Sequence, residues 1–172
     1  QPDHSNWATL RESQFHTLKR PHTGLITLID AGEADNIHPG DKETPGLRFA
    51  RLAKKMVYGY TSLVALGPSY HYAEVNGSEI IVHFRTYGSR LHHVNGGPLL
   101  RAFAIAGADG HFVWANAQIS SSSSVRVWHP SVPSPRYVRY AWSDNPGPID
   151  LYNTAGLPAF PFRTDELPTP WD

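Results

Sequence analysis

The chain has 172 residues, 15 Lys+Arg against 15 Asp+Glu, and no cysteine. Zero formal charge removes the basic face that a nucleic acid or an anionic membrane surface requires, and the missing thiols exclude disulfides, thiolate catalysis and zinc–thiolate sites. At 40% hydrophobic and 17% charged residues the chain is too apolar for disorder and long enough to bury a core.

Residues 1–6 are polar and unlike a signal peptide. With no initiator Met and a helix almost at once, the chain reads as a processed or excised product. Ser5 or Asn6 can cap a helix to about Thr17, with Trp7, Leu10, Phe15 and Leu18 as its apolar points. Pro21 and Gly24 end it. The run GLITLID (24–30) is short and apolar, carries β-branched residues and suits a buried parallel strand. A loop over 31–44 follows, and then a helix over about 43–58. Leu47, Ala50, Leu52, Ala53 and Val57 are assigned to its inward face, and Arg48, Arg51, Lys54 and Lys55 to its outward face. Lys54 and Lys55 suit the negative end of the helix dipole, and Gly59 can stop the helix.

Past Gly67-Pro68 the helical pattern gives way to strands. Asn76-Gly77 is a strong hairpin sequence, and Asp109-Gly110 repeats it. SVRVWH and RYVRYAW alternate apolar and polar residues. The serine run 120–124 reads as a hairpin tip, and the Pro-rich tail 156–172 as chain extended over a surface. Short strands with turns every 8–12 residues point to a β-sandwich or jelly roll. The fold class is therefore α/β plus all-β: an α/β segment over 1–66 and a sandwich module over 67–172. One strand and two helices cannot cover a sheet on both faces. An upstream segment, a partner chain or the sandwich itself must complete the layer.

The chemistry centres on Asp35 and His38. Acyl transfer by a serine needs an imidazole to take the hydroxyl proton and a carboxylate to hold the other ring nitrogen. A three-residue spacing on one loop allows that contact, and α/β sites gather at the carboxyl ends of strands. On spacing alone, D-x-x-H also describes a solvated turn. His92 and His93 are adjacent on a strand and point to opposite faces, which argues against a shared metal. Ser5, Ser13, Ser62 and Ser69 lack a nucleophile context, and no G-x-S-x-G elbow is present. The aromatic residues Trp114, Trp128, Tyr137, Tyr140 and Trp142 read as core before they read as sugar platforms.

Several stretches taken together go further. WATLRESQ (7–14), DNIHPGDKETPGLRFARLA (35–53), FAIAGADGHFVWANAQI (103–119), VRYAW (138–142) and LYNTAGLPAFPFRTD (151–165) resemble, in the same order, the C-terminal part of sialate O-acetylesterases. These are carbohydrate esterases of the SGNH hydrolase superfamily. The resemblance implies the C-terminal segment of a flavodoxin-like α/β/α domain followed by a jelly-roll-like β-module. It implies hydrolysis of acetyl esters on sugars without a metal or organic cofactor, with His38 as general base and Asp35 as its orienting acid. The family's serine block, G-Q-S-N-like, and its oxyanion donors are not found here. The resemblance therefore implies a Ser-bearing segment or chain as partner, an O-acetylated glycan as substrate, and an extracellular, periplasmic or lysosomal setting. The alternative is a catalytically silent sandwich that binds carbohydrate or another protein. A nucleophile hidden within the 172 residues is a third reading.

Overall fold

The computed structural model describes residues 5–165; the first four residues and 166–172, the end of the Pro-rich tail, lie outside it. Helix α1 spans Asn6–His16, a 3-10 turn follows at Thr17–Lys19, and α2 spans Glu43–Met56. Ten strands come after: β1 Ser69–Asn76, β2 Glu79–Arg85, β3 Leu91–His93, β4 Phe103–Ala106, β5 Val113–Trp114, β6 Asn116–Ile119, β7 Ser124–Trp128, β8 Tyr137–Tyr140, β9 Leu151–Asn153 and β10 Phe162–Arg163.

The strands form two antiparallel four-stranded sheets, ordered β1-β2-β7-β6 and β10-β8-β4-β5, and a short β3-β9 ladder. Alternation decides which face is buried. In β2, Ile80, Val82 and Phe84 point inward, and Ile80 and Val82 sit opposite Val127 and Val125 of β7. Phe103 and Ile105 of β4, with Val138 and Tyr140 of β8, supply the other wall. Full burial of such side chains contributes about 1.5–3 kcal/mol each, so this sandwich core dominates the stability. The hairpin sequences act as read: β1 and β2 pair to Asn76–Glu79, and Gly77 takes φ +61. The serine run turns the chain between β6 and β7, where Ser120 and Ser121 both bond to Ser124.

Helix α1 is bound to the sandwich largely through polar contacts. The Ser5 hydroxyl accepts the Ala8 N–H at 2.9 Å and donates to Asp144 at 2.6 Å. That bond, with the Trp7 N–H, holds the Asp144 carboxyl below its ordinary range. Arg11 donates to the Ser143 carbonyl, and Arg163 grips Glu12 with two nitrogens at 3.0 and 2.9 Å. Trp7 and Leu10, assigned to the apolar side, are 49% and 45% exposed, whereas Ala8 is fully buried.

Three local readings need correction. The run 24–30 joins no ladder, and it ends in a turn at Ile29 and Asp30 that Ala31 closes onto the Leu28 carbonyl at 3.0 Å. A strand exists only against a neighbour, and no described sheet reaches it. Gly24 instead lies against α2, where an added Cβ would sit 2.7 Å from Leu52 Cδ2. The faces of α2 are also partly reversed. Leu47 and Val57 are exposed, Leu52 is the one buried residue of the helix, and Arg48 turns inward to Asp30. The bidentate ion pair with the shielded Asp30 carboxylate on the preceding segment outweighs the apolar stripe. Finally, the described part of the tail enters the core. Leu157, Ala159, Phe160 and Phe162 are buried, and β10 pairs with β8.

Asn153, fully buried in β9, ties this region together. Its Nδ2 donates to the Leu66 carbonyl at 3.0 Å, and its Oδ1 accepts the N–H groups of Ala155 and Leu157 at 3.1 and 3.0 Å. Asn153→Ala strands those three backbone groups. The expected cost is about 3 kcal/mol, read as a lower urea midpoint with an unchanged m-value.

Candidate active site

The loop after Asp30 is shaped by its own side chains. The Glu33 carboxylate accepts the Gly40 N–H at 2.6 Å on one oxygen and the Asn36 amide at 3.0 Å on the other. The Gly40 bond first, then the Asn36 bond, lowers the Glu33 carboxyl below its usual range. Asn36 Oδ1 accepts the His38 backbone N–H at 2.9 Å. Asp41 accepts the Thr44 N–H at 3.0 Å in the first turn of α2, which satisfies a donor that a helix start leaves open.

Asp35 and His38 ride on this scaffold, flanking Asn36 and Ile37, and both are exposed. No hydrogen bond or ion pair joins their side chains among the described residues. The loop brings them close in sequence and leaves the imidazole facing outward. Ile37, between Asp35 and His38, is 74% exposed.

The ends of the loop are more firmly held. Arg48 grips Asp30 with both guanidinium nitrogens, at 2.7 and 2.6 Å, and also donates to the Thr27 carbonyl at 2.7 Å. Tyr152 of β9 donates its hydroxyl to the same carboxylate at 3.0 Å. Burial, then the Asp30 charge and hydrogen bond, pushes the Tyr152 phenol up to about 12, so it remains a donor at neutral pH. A shallow crevice lies beside this cluster, lined by Leu25, Ile26, Thr27, Arg48, Leu157 and Phe160 among others. Neither Asp35 nor His38 lines it.

Three other imidazoles have partners that the sequence did not single out; the first, His83 Nε2, lies 3.1 Å from the exposed Glu74 carboxylate across the β1-β2 hairpin. His93 Nε2 lies 3.2 Å from Asp150, whose side chain is 1% exposed and also accepts the Arg101 N–H at 2.9 Å. The two residues are 57 positions apart, and only the β3-β9 ladder unites them. Among the described residues no hydroxyl bonds to His93, and the contact serves as a latch in the sandwich. His129 Nδ1 meets Ser131 Oγ at 2.7 Å, but the same nitrogen accepts the Ser131 N–H at 3.2 Å. That is a local turn with no carboxylate behind the ring. Of the serines considered as nucleophiles, Ser5 caps α1 and Ser69 bonds to Tyr87. The described residues contain no grouping of three or more His, Asp or Glu side chains able to hold a metal ion.

No family model and no curated protein matches the chain. Among solved structures it is similar to the crystal structure of a carbohydrate acetylesterase from Xanthomonas citri, with 41% identity and a TM-score of 0.91 over 97% of this chain. The chain spans 38% of the length of that protein. In fold and in sequence, the chain is therefore similar to a portion of a carbohydrate acetylesterase.

Proposed function

We propose that this chain is the C-terminal portion of a carbohydrate O-acetylesterase of the sialate type, in the SGNH hydrolase superfamily. In this reading His38 is the general base, Asp35 orients it, and another segment or chain brings the serine. The observation that carries the reading is the 41% identity to a carbohydrate acetylesterase across 97% of the chain. Two features agree with a missing neighbour. The run 24–30 joins no ladder, and Leu47, Phe49, Met56 and Val57 of α2 and its C-cap are exposed. A flavodoxin-like α/β segment could pair with the first and cover the second.

The reaction follows from the groups. The serine oxygen bonds to the acetyl carbon as His38 takes its proton, and donors from the other segment hold the oxyanion. The tetrahedral intermediate expels the sugar oxygen, which receives that proton from His38. Water, deprotonated by the same ring, then attacks the acetyl-serine and releases acetate. The Asp35 carboxylate stabilises the imidazolium in both steps, which requires its side chain to turn onto the ring once the site is assembled.

The exposed polar face of the first sheet favours the second reading, a silent glycan-binding module. Tyr72 stacks on His83 at 4.3 Å, and Arg126 covers Trp128 at 4.2 Å. One experiment separates the two. The chain is assayed with p-nitrophenyl acetate alone and after mixing with a Ser-bearing N-terminal fragment. Turnover that arises only on mixing supports the esterase. Binding to an acetylated glycan array, with no turnover in either case, leaves the silent module.

A further inference from the structure

The hydrogen bonds of the 31–42 loop are all local. Glu33, Asn36, Asp41 and Lys42 bond to groups within a few residues of themselves. Such bonds set the loop's internal shape but not its place on the molecule. Something else must decide where His38 sits relative to the sandwich. The candidate is the cluster at the loop's two ends. Asp30 immediately precedes the loop, and Arg48 lies in the second turn of the helix that follows it. Their side chains are 13% and 11% exposed, and the carboxylate takes both guanidinium nitrogens. This fork closes an 18-residue span, as a clasp at the base of the loop.

The third member comes from 122 residues away. Tyr152 packs its ring against the sandwich core and points its hydroxyl at Asp30. Its position is set by β9, which pairs with β3 along Leu91, His92 and His93. Its ring is therefore fixed by the module and not by the loop. A planar fork and a rigid phenol hold a carboxylate in one orientation, which a lysine or a flexible donor would not do.

We propose that Asp30, Arg48 and Tyr152 form a positioning clasp that registers the Asp35/His38 loop against the β-sandwich. Tyr152 is then a positioning residue for the deacetylation, contributed by the module. This rests on the catalytic reading of the loop given above. It gives the sandwich a part in the reaction besides any contact with glycan. Misplacing a catalytic group by about 1 Å can cost 10²-fold in rate, so a modest tilt of the loop is sufficient to be seen.

The test uses the chain assembled with its Ser-bearing segment, with p-nitrophenyl acetate as substrate. Tyr152→Phe removes one hydroxyl and keeps the packed ring. Arg48→Lys keeps the charge and removes the fork. Each is expected to lower kcat about tenfold with KM little changed. Amides over 31–42 should exchange with deuterium roughly tenfold faster while those of β2 and β7 do not change. Unchanged kcat and unchanged loop exchange in both variants, or a fall in melting temperature alone, would overturn the clasp. If the wild-type assembly shows no turnover, the catalytic reading fails, and the exchange measurement still decides whether the clasp holds the loop.

Discussion

In the proposed esterase, assembled with its Ser-bearing segment, His38→Ala is expected to lower turnover about 10⁴-fold, with KM nearly unchanged. The reason is specific to the ring. In the proposed mechanism the ring takes the serine proton in acylation and activates water in deacylation, so its removal takes the base from both steps. Binding and oxyanion stabilisation come from elsewhere and survive, which leaves a residual rate. His38 is exposed and its backbone N–H, not its ring, makes the bond to Asn36. The variant should therefore fold and melt as the parent does. Asp35→Asn should follow in the same direction with a smaller loss, because it removes orientation and charge and leaves the base in place. The measurement is steady-state hydrolysis of an acetylated sugar, with far-ultraviolet circular dichroism as the folding control. A His38→Ala enzyme within tenfold of the parent would show that another group carries the proton.

The second large effect is on stability. Gly67 runs so close to the tail that a Cβ there would lie 1.8 Å from the Pro158 carbonyl oxygen. Its neighbours fix that approach. The Phe160 N–H donates to the Pro68 carbonyl at 2.8 Å, and Asn153 holds the Leu66 carbonyl at 3.0 Å. The obstacle is backbone, so no rotamer change relieves it. Gly67→Ala must push apart the strap that joins the helical segment to the sandwich. The expected cost is about 3 kcal/mol, or roughly 6–12 °C in melting temperature for a domain of this size. A thermal melt checks it. A loss below about 2 °C would mean that the two segments slide apart freely and that the crossing is loose. Gly46, where an added Cβ meets nothing within 4 Å, is the natural comparison. Its replacement by alanine in the exposed first turn of α2 should raise stability slightly.

The parts of this protein that were legible in its sequence share one property: they depend on near neighbours in the chain. Asn76-Gly77 closes a hairpin because glycine tolerates the positive φ of that turn. The alternation of Ile80, Val82 and Phe84 sends one face of β2 inward wherever the second sheet lies. Ser5 caps α1 through a donor three residues ahead. The loop that carries Asp35 and His38 was equally visible, because it lies between the apolar run ending at Asp30 and the start of α2.

What remained hidden depends on residues far apart. The run 24–30 has strand composition, yet composition supplies no hydrogen-bonding neighbour, and here it lies beside α2 without a ladder. The apolar stripe of α2 suggested which side should be buried, but Arg48 turns toward the Asp30 carboxylate, whose side chain is shielded, instead of outward. The Pro-rich tail looked like surface chain until Phe160 and Phe162 found places in the core. Tyr152 lies 122 residues from Asp30, and nothing local marks it as that residue's partner. Periodicity, caps and turns are properties of a short window, so the sequence by itself determined the strands, the hairpins and the candidate catalytic loop. Which charge is buried, which face turns inward and what holds the loop in place are set by desolvation and packing between distant segments, and those only the tertiary structure decided.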